Sequence, residues 1–252
     1  MAKPFSIAAL TLCLSLAAFA QVKAPQPPPV KVPFAESLQA VVVTAKAAAD
    51  FQGMARLYER KTPTSSWKKV GEEFLVVLGR NGLAWGRDSA PESAGDFKQE
   101  GDGRSPAGLF PLTFAFGRPD QPAGMRLSYR KLDEYSECVD DVSSSHYNRV
   151  VDRLKVGNFD WKSSEKMLDV GLEYEFGIIA AYNSYPVRRG DGSCIFLHIW
   201  KDAATGTSGC TAMKRDDLLK ILNWADPAKN PYLVQMTEAD RRTYRKKWNL
   251  PK

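Results

Sequence analysis

Residues 194–210 read CIFLHIWKDAATGTSGC, an apolar run followed by a loop of small residues that ends in a cysteine. The apolar run predicts a β-strand. Because side chains alternate between the two faces of a strand, Phe196, His198 and Trp200 are expected to share one face. A histidine in such a strand is either a hydrogen-bonded core residue or a base that titrates near neutral pH. The strand alone does not distinguish the two.

The loop after this strand favours a base, because it can return a thiol to the histidine. Gly206 and Gly209 permit tight turns, and Cys210 lies twelve residues after His198. The imidazole is then expected to take the thiol proton and to lower the thiol pKa from about 8.5 toward neutrality. Backbone N–H groups of Gly209 and Cys210 would form an oxyanion hole. The alternative is an inert, buried cysteine.

Strand patterns recur along the rest of the chain, and helical patterns are few. The pair Asn81-Gly82 lies between two apolar runs and predicts a hairpin. Helical spacing of apolar residues predicts one clear helix over residues 216–225, and we expect a short one near residues 163–168. Short strands without regular alternation with helices predict a mostly-β (α+β) fold with a mixed, sandwich-like sheet. The predicted strands cover residues 38–44, 54–60, 74–78, 83–85, 176–182 and 194–200.

The composition divides the 252 residues into four segments. Residues 1–20 combine Lys3, an apolar stretch and an Ala-Phe-Ala ending, which predicts a secretory signal peptide; an uncleaved membrane anchor is the alternative. Residues 21–37 form a proline-rich linker, residues 38–236 the main folded domain, and residues 237–252 a basic C-terminal tail. We therefore expect an exported protein of the periplasm or cell envelope, with no transmembrane segment after signal cleavage.

Several classes of chemistry lack their motifs. No CxxC, HxH or HExxH occurs, so neither a metal nor another cofactor is predicted. The glycine-rich residues 101–108 lack the GK[ST] of a phosphate-binding loop. The net charge of +6 suits an anionic surface such as a wall polymer, but no aromatic-basic module predicts a nucleic-acid partner. His146 lies in a polar loop and is interpreted as a surface residue.

Two motifs in this order resemble those of the YkuD-type L,D-transpeptidases. His198 followed by Thr207-Ser208-Gly209-Cys210 resembles the active-site strand and loop of that family. Residues 101–110 resemble its G-x-x-T-P-x-G-x-F hairpin. The resemblance covers residues 38–236. A subgroup of the family is similar at residues 138–141, 147–148 and 192–198.

The resemblance implies a mixed, mostly-β domain with a cysteine nucleophile in a groove. It also implies acyl transfer on peptidoglycan stem peptides, which would be the partner of this protein. Cys210 would attack the bond after the third residue of a tetrapeptide, release the terminal D-residue and pass the acyl group to an amine. His198 would be the base, and the N–H groups of Gly209 and Cys210 would stabilise the oxyanion, in a loop completed by Thr207 and Ser208.

The loop departs from the S-H-G-C-x-R pattern of the family at two positions. Ser208 replaces the histidine and Ala212 replaces the arginine, and some divergent family members act as amidases or carboxypeptidases on the same polymer. Three functions therefore remain open: an L,D-transpeptidase, an L,D-carboxypeptidase or amidase with the same acyl-enzyme, and a non-catalytic wall-binding module. Other residues must then bind the substrate, and the candidates are Trp200, Arg188, Arg189 and Tyr182.

Three cysteines remain after the predicted signal peptide, namely Cys138, Cys194 and Cys210. An odd number in an oxidising compartment leaves a free thiol or an intermolecular bridge. If Cys210 must stay free, Cys138 and Cys194 are the natural pair, and two buried free thiols are the alternative. A bridge to Cys210 would block the nucleophile.

Overall fold

The structure is a computed structural model that describes Met1, residues 33–92 and residues 94–252. The predicted signal peptide, apart from Met1, and residues 21–32 of the predicted linker lie outside the described residues. From Pro33 onward the described residues belong to one compact unit. Within this described part of the chain, no helix has both the length and the apolar character needed to cross a membrane.

Strands make up most of the regular structure in the described chain. In chain order they are β1 (Gln39–Ala45), β2 (Gln52–Glu59), β3 (Lys68–Val77), β4 (Leu83–Trp85), β5 (Ser105–Gly117), β6 (Tyr129–Lys131), β7 (Ser136–Cys138), β8 (Val150–Asp152), β9 (Glu165–Lys166), β10 (Phe176–Ala180), β11 (Phe196–Ile199), β12 (Thr211–Met213) and β13 (Pro231–Thr237). The helices are α1 (Arg215–Trp224), α2 (Glu238–Tyr244) and the short 3₁₀ helices Phe34–Glu36, Gly171–Tyr174 and Pro227–Lys229. This content confirms the prediction of a mostly-β fold with a few short helices.

The long strand β5 closes the main sheet into a ring. Its residues 108–111 pair antiparallel with β13, and its residues 112–117 pair antiparallel with β10. From β10 the pairing continues through β11, β12, β3, β2 and β1 back to β13. At about 3.3 Å per residue, β5 extends roughly 43 Å, which is long enough to pair with β13 over one part and with β10 over the other. The β1–β13 and β11–β12 pairs are parallel and the other pairs of the ring are antiparallel, so the sheet is mixed, as predicted.

Apolar side chains of the ring and of α1 share one large core. Leu218, Ile221 and Leu222 on one side of α1 are fully buried, and α1 lies against β10 and β11. Asp216 and Asp217 occupy its first turn, where negative charge stabilises the helix dipole. The helix predicted over residues 216–225 is therefore confirmed, with each end shifted by one residue.

The pair Asn81-Gly82 forms a turn, but the predicted hairpin is wrong. The Gly82 N–H donates to the Gly79 carbonyl across 2.7 Å, and Gly82 has a φ of +80°. β4 then pairs in parallel with β5 and not with β3, whose neighbours are β2 and β12. A Cβ at Gly82 would lie 2.0 Å from the carbonyl oxygen of Ala48. This close contact with an earlier loop, which the local sequence does not reveal, directs the chain away from β3.

A second, small sheet consists of β7 with β8 and β9 as its antiparallel neighbours. The short helix expected near residues 163–168 is wrong, because this segment contains β9. Burial of Glu137 on β7 explains the difference. Its carboxylate accepts hydrogen bonds from Trp161 and Ser164 and forms an ion pair with Lys166. These long-range contacts outweigh the local helical preference.

A disulfide joins the small sheet to the main sheet. It links Cys138, at the end of β7, to Cys194, just before β11, with their Cα atoms 6.0 Å apart. Among the described residues, Cys210 is the free cysteine. The bridge therefore ties the small sheet to the strand that carries His198.

The basic segment of residues 237–252 packs onto the domain and is not a detached tail. Leu250 is buried. The Trp67 indole N–H donates to the Asn249 carbonyl across 2.9 Å, and the Tyr58 hydroxyl donates to the Lys252 carbonyl across 2.8 Å. These contacts bind the end of the chain to β2 and to the loop that follows it.

Replacing both bridged cysteines by serine (Cys138→Ser with Cys194→Ser) should destabilise the protein by about 4 kcal/mol. This is the chain-entropy value for a loop closed across 56 residues. Urea unfolding of the double variant and the wild type measures the difference. Reductant should lower the midpoint of the wild type and leave that of the variant unchanged. Equal midpoints for the two proteins without reductant would contradict the prediction.

Candidate active site

β11 and β12 bring the predicted histidine and cysteine together. The two strands pair in parallel with His198 opposite Ala212, so Cys210, which precedes β12, lies beside Phe196. The Phe196 N–H donates to the Cys210 sulfur across 3.3 Å. Because side chains alternate along β11, Phe196 and His198 share the face on which this sulfur lies.

The thiol of Cys210 is buried and neutral at rest. Its S–H donates to the Cys194 carbonyl oxygen across 3.3 Å. Burial, together with the negative charge of Glu165, raises the pKa of Cys210 to about 12, although one backbone N–H, one lysine and one tyrosine act in the opposite direction. The exposed fraction of the residue is 8%. At neutral pH the thiolate is therefore a minor species.

The imidazole of His198 is oriented by its own strand. Its Nδ1 lies 2.8 Å from the carbonyl oxygen of Ile199. Because a carbonyl oxygen only accepts hydrogen bonds, Nδ1 carries the proton and Nε2 carries the lone pair. Burial lowers the pKa of His198 to about 4. At neutral pH this residue is an uncharged imidazole with Nε2 available as a base.

The expected lowering of the thiol pKa toward neutrality is wrong for the resting site. Burial disfavours the charged form of both side chains, so it raises the pKa of Cys210 and lowers that of His198. In the described part of the protein, no hydrogen bond joins the imidazole to the thiol, whose proton points to Cys194. The site does not hold a preformed ion pair, and His198 can act as a base only while the thiol reacts.

The side chain of Thr207 shapes the loop that ends at Cys210. Its hydroxyl donates to the Cys210 carbonyl across 2.7 Å and accepts from the Gly209 N–H across 3.1 Å. The Thr207 N–H donates in turn to the Leu78 carbonyl at the end of β3. Of the two expected oxyanion donors, the Gly209 N–H is therefore already engaged. The Cys210 N–H has no hydrogen-bond acceptor among the described residues.

Ser105 anchors the same loop from β5, a role that the sequence did not reveal. Its buried hydroxyl donates to the Cys210 carbonyl across 3.0 Å and accepts from the Gly79 N–H across 2.8 Å. The only sequence signal is its place in the hairpin motif, where it stands at the threonine position. This serine fixes the backbone of Cys210 relative to the end of β3.

An arginine from a neighbouring turn lies at the position where the loop departs from the family pattern. Arg80 is exposed, and its Nη1 donates to the Ser208 hydroxyl across 3.3 Å. It forms no ion pair with any carboxylate in the described chain. A Cβ at Gly206 would lie 2.6 Å from the Arg80 Cα, so this glycine permits the close approach of the two segments. The guanidinium of Arg80 thus lies beside Ser208, the residue that precedes Gly209 in the loop.

The two arginines considered for carboxylate binding are engaged elsewhere. Arg188 forms an ion pair with Asp88 at 3.2 Å, and Arg189 donates to the Val142 carbonyl across 2.8 Å. Among the described residues, neither arginine has a contact with Cys210.

Tyr182 and Trp200 likewise have no described contact with the thiol. The buried Tyr182 packs its ring against Phe110 and donates its hydroxyl to the Asp191 carbonyl. Trp200 follows β11 directly and is partly exposed. Tyr182 therefore supports the loop before β11, and Trp200 stays a prediction as a substrate contact.

The second histidine lies in a different environment. The His146 ring packs against Trp161 at 5.3 Å, and its Nε2 lies 3.0 Å from the Asn158 carbonyl oxygen. The described residues contain no group of three or more histidine, cysteine, aspartate or glutamate side chains that could hold a metal ion.

Tyr147 and Asn148, which marked the subgroup in the sequence, support the wall beside the thiol. The Tyr147 hydroxyl donates to the Glu100 carboxylate across 2.5 Å. The Asn148 amide oxygen accepts from the Cys194 N–H across 2.9 Å, and its NH₂ group donates to the carbonyls of Tyr182 and Asn183. The motif thus holds the segment that leads into β11.

The closed mixed sheet, with a free cysteine in a loop after a histidine-bearing strand, defines the class of L,D-transpeptidase-like catalytic domains. The family model for YkuD, the L,D-transpeptidase catalytic domain, matches residues 42–235. This is well over half of the chain, which therefore belongs to the YkuD family. No curated protein and no solved structure matched the chain.

Iodoacetamide should alkylate Cys210 about tenfold faster for each pH unit between pH 7 and pH 10. Only the thiolate reacts, and its fraction rises in this way below a pKa of about 12. Intact-mass measurement on the folded protein gives the rate, with Cys210→Ala as the control that should gain no mass. A rate that levels off between pH 7 and pH 8 would show an ionised thiol and refute the neutral resting site.

Proposed function

We propose that the chain is a peptidoglycan L,D-transpeptidase that acts through a cysteine acyl-enzyme, with Cys210 as the nucleophile and His198 as the base. One observation carries the proposal: a free thiol lies beside a strand whose histidine is oriented by the Ile199 carbonyl, in a member of the YkuD family. A nucleophile, a base and a group that orients the base form the usual unit of acyl transfer.

In the first half-reaction the thiol attacks the carbonyl carbon of the third residue of a stem tetrapeptide. Nε2 of His198 takes the thiol proton as the carbon–sulfur bond forms. The resulting imidazolium then gives that proton to the nitrogen of the terminal D-residue, whose bond to the carbonyl carbon breaks. The D-residue leaves as an amine, and a thioester at Cys210 remains.

In the second half-reaction an amine of another stem attacks the thioester. His198 takes a proton from this amine and returns it to the sulfur, so that the thiol is restored and a new amide bond joins two stems. The Cys210 N–H is suited to stabilise the oxyanion in both steps, because it donates to no acceptor in the described structure. Arg80, beside Ser208, is our candidate for the substrate carboxylate that the missing motif arginine would bind.

The departures at Ser208 and Ala212 favour a second candidate of the same chemistry. An L,D-carboxypeptidase or amidase would form the same thioester and release it to water instead of an amine. Ser208 is exposed beside the nucleophile loop. A smaller, polar residue at this position leaves more room for water near the thioester than the histidine of the common motif would.

Export to the periplasm or cell envelope fits this function, because peptidoglycan lies outside the cytoplasmic membrane. The segment of residues 1–20 supports export through its signal-peptide pattern. The Cys138–Cys194 bridge is of the kind that persists in oxidising compartments. A net charge of +6 favours contact with an anionic wall.

A carbapenem should add its full mass to the wild-type protein and none to Cys210→Ala. Attack of the thiol opens the lactam ring and leaves the whole drug bound as a thioester. Intact-mass analysis measures the adduct, and peptide mapping locates it. If the correctly folded wild type gains no mass, the non-catalytic wall-binding module becomes the better interpretation.

Purified muropeptides distinguish the two enzymatic candidates. A transpeptidase releases the terminal D-residue and yields cross-linked dimers, whereas a hydrolase yields shortened stems alone. In either case His198→Gln should lower turnover by about two to four orders of magnitude, the usual contribution of a general base. Its urea midpoint, compared with that of the wild type, controls for folding. Turnover within a few-fold of wild type in this variant would exclude His198 as the base.

A further inference from the structure

Tyr174 places a second polar group in the buried cluster that contains the Cys210 thiol. It ends the 3₁₀ helix Gly171–Tyr174 and is buried, with an exposed fraction of 2%. Its ring lies edge-on to His198 at 5.3 Å and to Phe196 at 5.8 Å. The tyrosine therefore contacts the base and the strand residue that supports the nucleophile.

The hydroxyl of Tyr174 interacts with two groups, the Glu165 carboxylate and the Cys210 thiol. It donates to Oε2 of Glu165 across 2.8 Å. Tyr174 and Cys210 also lie in one buried cluster, and the tyrosine hydroxyl lowers the pKa of the thiol. A phenol has a single proton, so the carboxylate and an ionising sulfur compete for the same donor.

We propose that Tyr174 is a further catalytic residue, whose hydroxyl donates a hydrogen bond to the Cys210 sulfur as the thiol ionises, and that Glu165 is the positioning residue that orients it. The inference rests on the proposed function for the direction of the reaction. Ionisation leaves the sulfur with the Phe196 N–H and the Tyr174 hydroxyl as donors while His198 holds the proton. No covalent bond of the tyrosine changes.

The two residues have opposite electrostatic effects on the thiol. Donation from Tyr174 favours the thiolate, whereas the negative charge of Glu165 disfavours it. Burial, followed by the charges of Asp140 and Glu100, raises the pKa of Glu165 to about 7. Part of the Glu165 population is therefore protonated near neutral pH. A protonated Glu165 is a weaker acceptor, so the Tyr174 hydroxyl can then donate its hydrogen bond to the sulfur.

Other charged groups face these residues and must stay constant in any test. Lys98, before β5, is the cation whose charge favours the thiolate. Its ammonium pairs with Asp102 at 2.6 Å and is almost fully buried. His198 faces the same pocket but is uncharged above its pKa of about 4. Comparison of variants at one pH, with these groups unaltered, isolates the tyrosine and the glutamate.

The test is the rate at which iodoacetamide alkylates Cys210 at pH 8 in the full chain. Tyr174→Phe keeps the ring and removes the hydroxyl, so alkylation should be roughly tenfold slower, the loss expected for one hydrogen bond to a charged group. Glu165→Gln keeps an acceptor for the tyrosine and removes the charge, so alkylation should be several-fold faster. Tyr129→Phe, whose hydroxyl donates to the Pro119 carbonyl and has no described contact with Cys210, is the matched control and should leave the rate unchanged.

A slower alkylation rate in Tyr174→Phe together with a faster rate in Glu165→Gln supports the proposal. Rates that change in the same direction, or that do not change, overturn it. A purely structural role would change thermal stability without this opposition. If Tyr174→Phe fails to fold, Glu165→Gln decides alone, because a rate equal to or below wild type contradicts the proposal. Alkylation needs no cell-wall substrate. A protein without wall activity but with the opposed shifts would therefore refute the proposed function and leave the hydrogen-bond assignment standing.

Discussion

The parallel pairing of β11 with β12 is the constraint on which the site depends. Parallel neighbours cannot be joined by a tight turn, so the chain must leave the sheet after Ile199 and return at Thr211 through residues 200–210. β12 also pairs with β3, which fixes the point of return. Cys210 therefore arrives beside Phe196 as a consequence of the sheet topology, and the hydroxyls of Ser105 and Thr207 hold its carbonyl there.

Burial at this junction determines the chemistry of the resting protein. The same apolar surroundings keep the thiol protonated and the imidazole neutral, so in the proposed mechanism the two charges arise only during the reaction. Fixed dipoles such as the Cys210 N–H and the Ile199 carbonyl can stabilise those charges without reorganising. A neutral, buried thiol also resists oxidation, because the thiolate is the form that reacts with oxidants. This protection would matter for a free cysteine in the oxidising compartment that the proposed export implies.

The sequence predicts elements that depend on local pattern and fails where distant segments decide. Alternation in residues 194–200 placed His198 on the correct strand, and the spacing of apolar residues located α1. The hairpin at Asn81-Gly82 failed because Ala48 packs against the turn. The sequence does not predict the role of Ser105, because its hydrogen-bond partner, Cys210, lies 105 residues away in the chain. The sequence does not predict the raised pKa of the Cys210 thiol for a related reason, since burial depends on residues from distant parts of the chain.

The small sheet shows how a segment without a clear pattern contributes to the site. Cys194 has a φ of 55°, a left-handed conformation that costs energy for a residue with a side chain. The disulfide to Cys138 and the hydrogen bond from its N–H to Asn148 hold it there. The carbonyl of this residue accepts a hydrogen bond from the Cys210 thiol. The disulfide thus does more than limit the unfolded chain: it helps to hold the carbonyl that accepts from the Cys210 thiol, the group from which His198 would take a proton in the proposed mechanism.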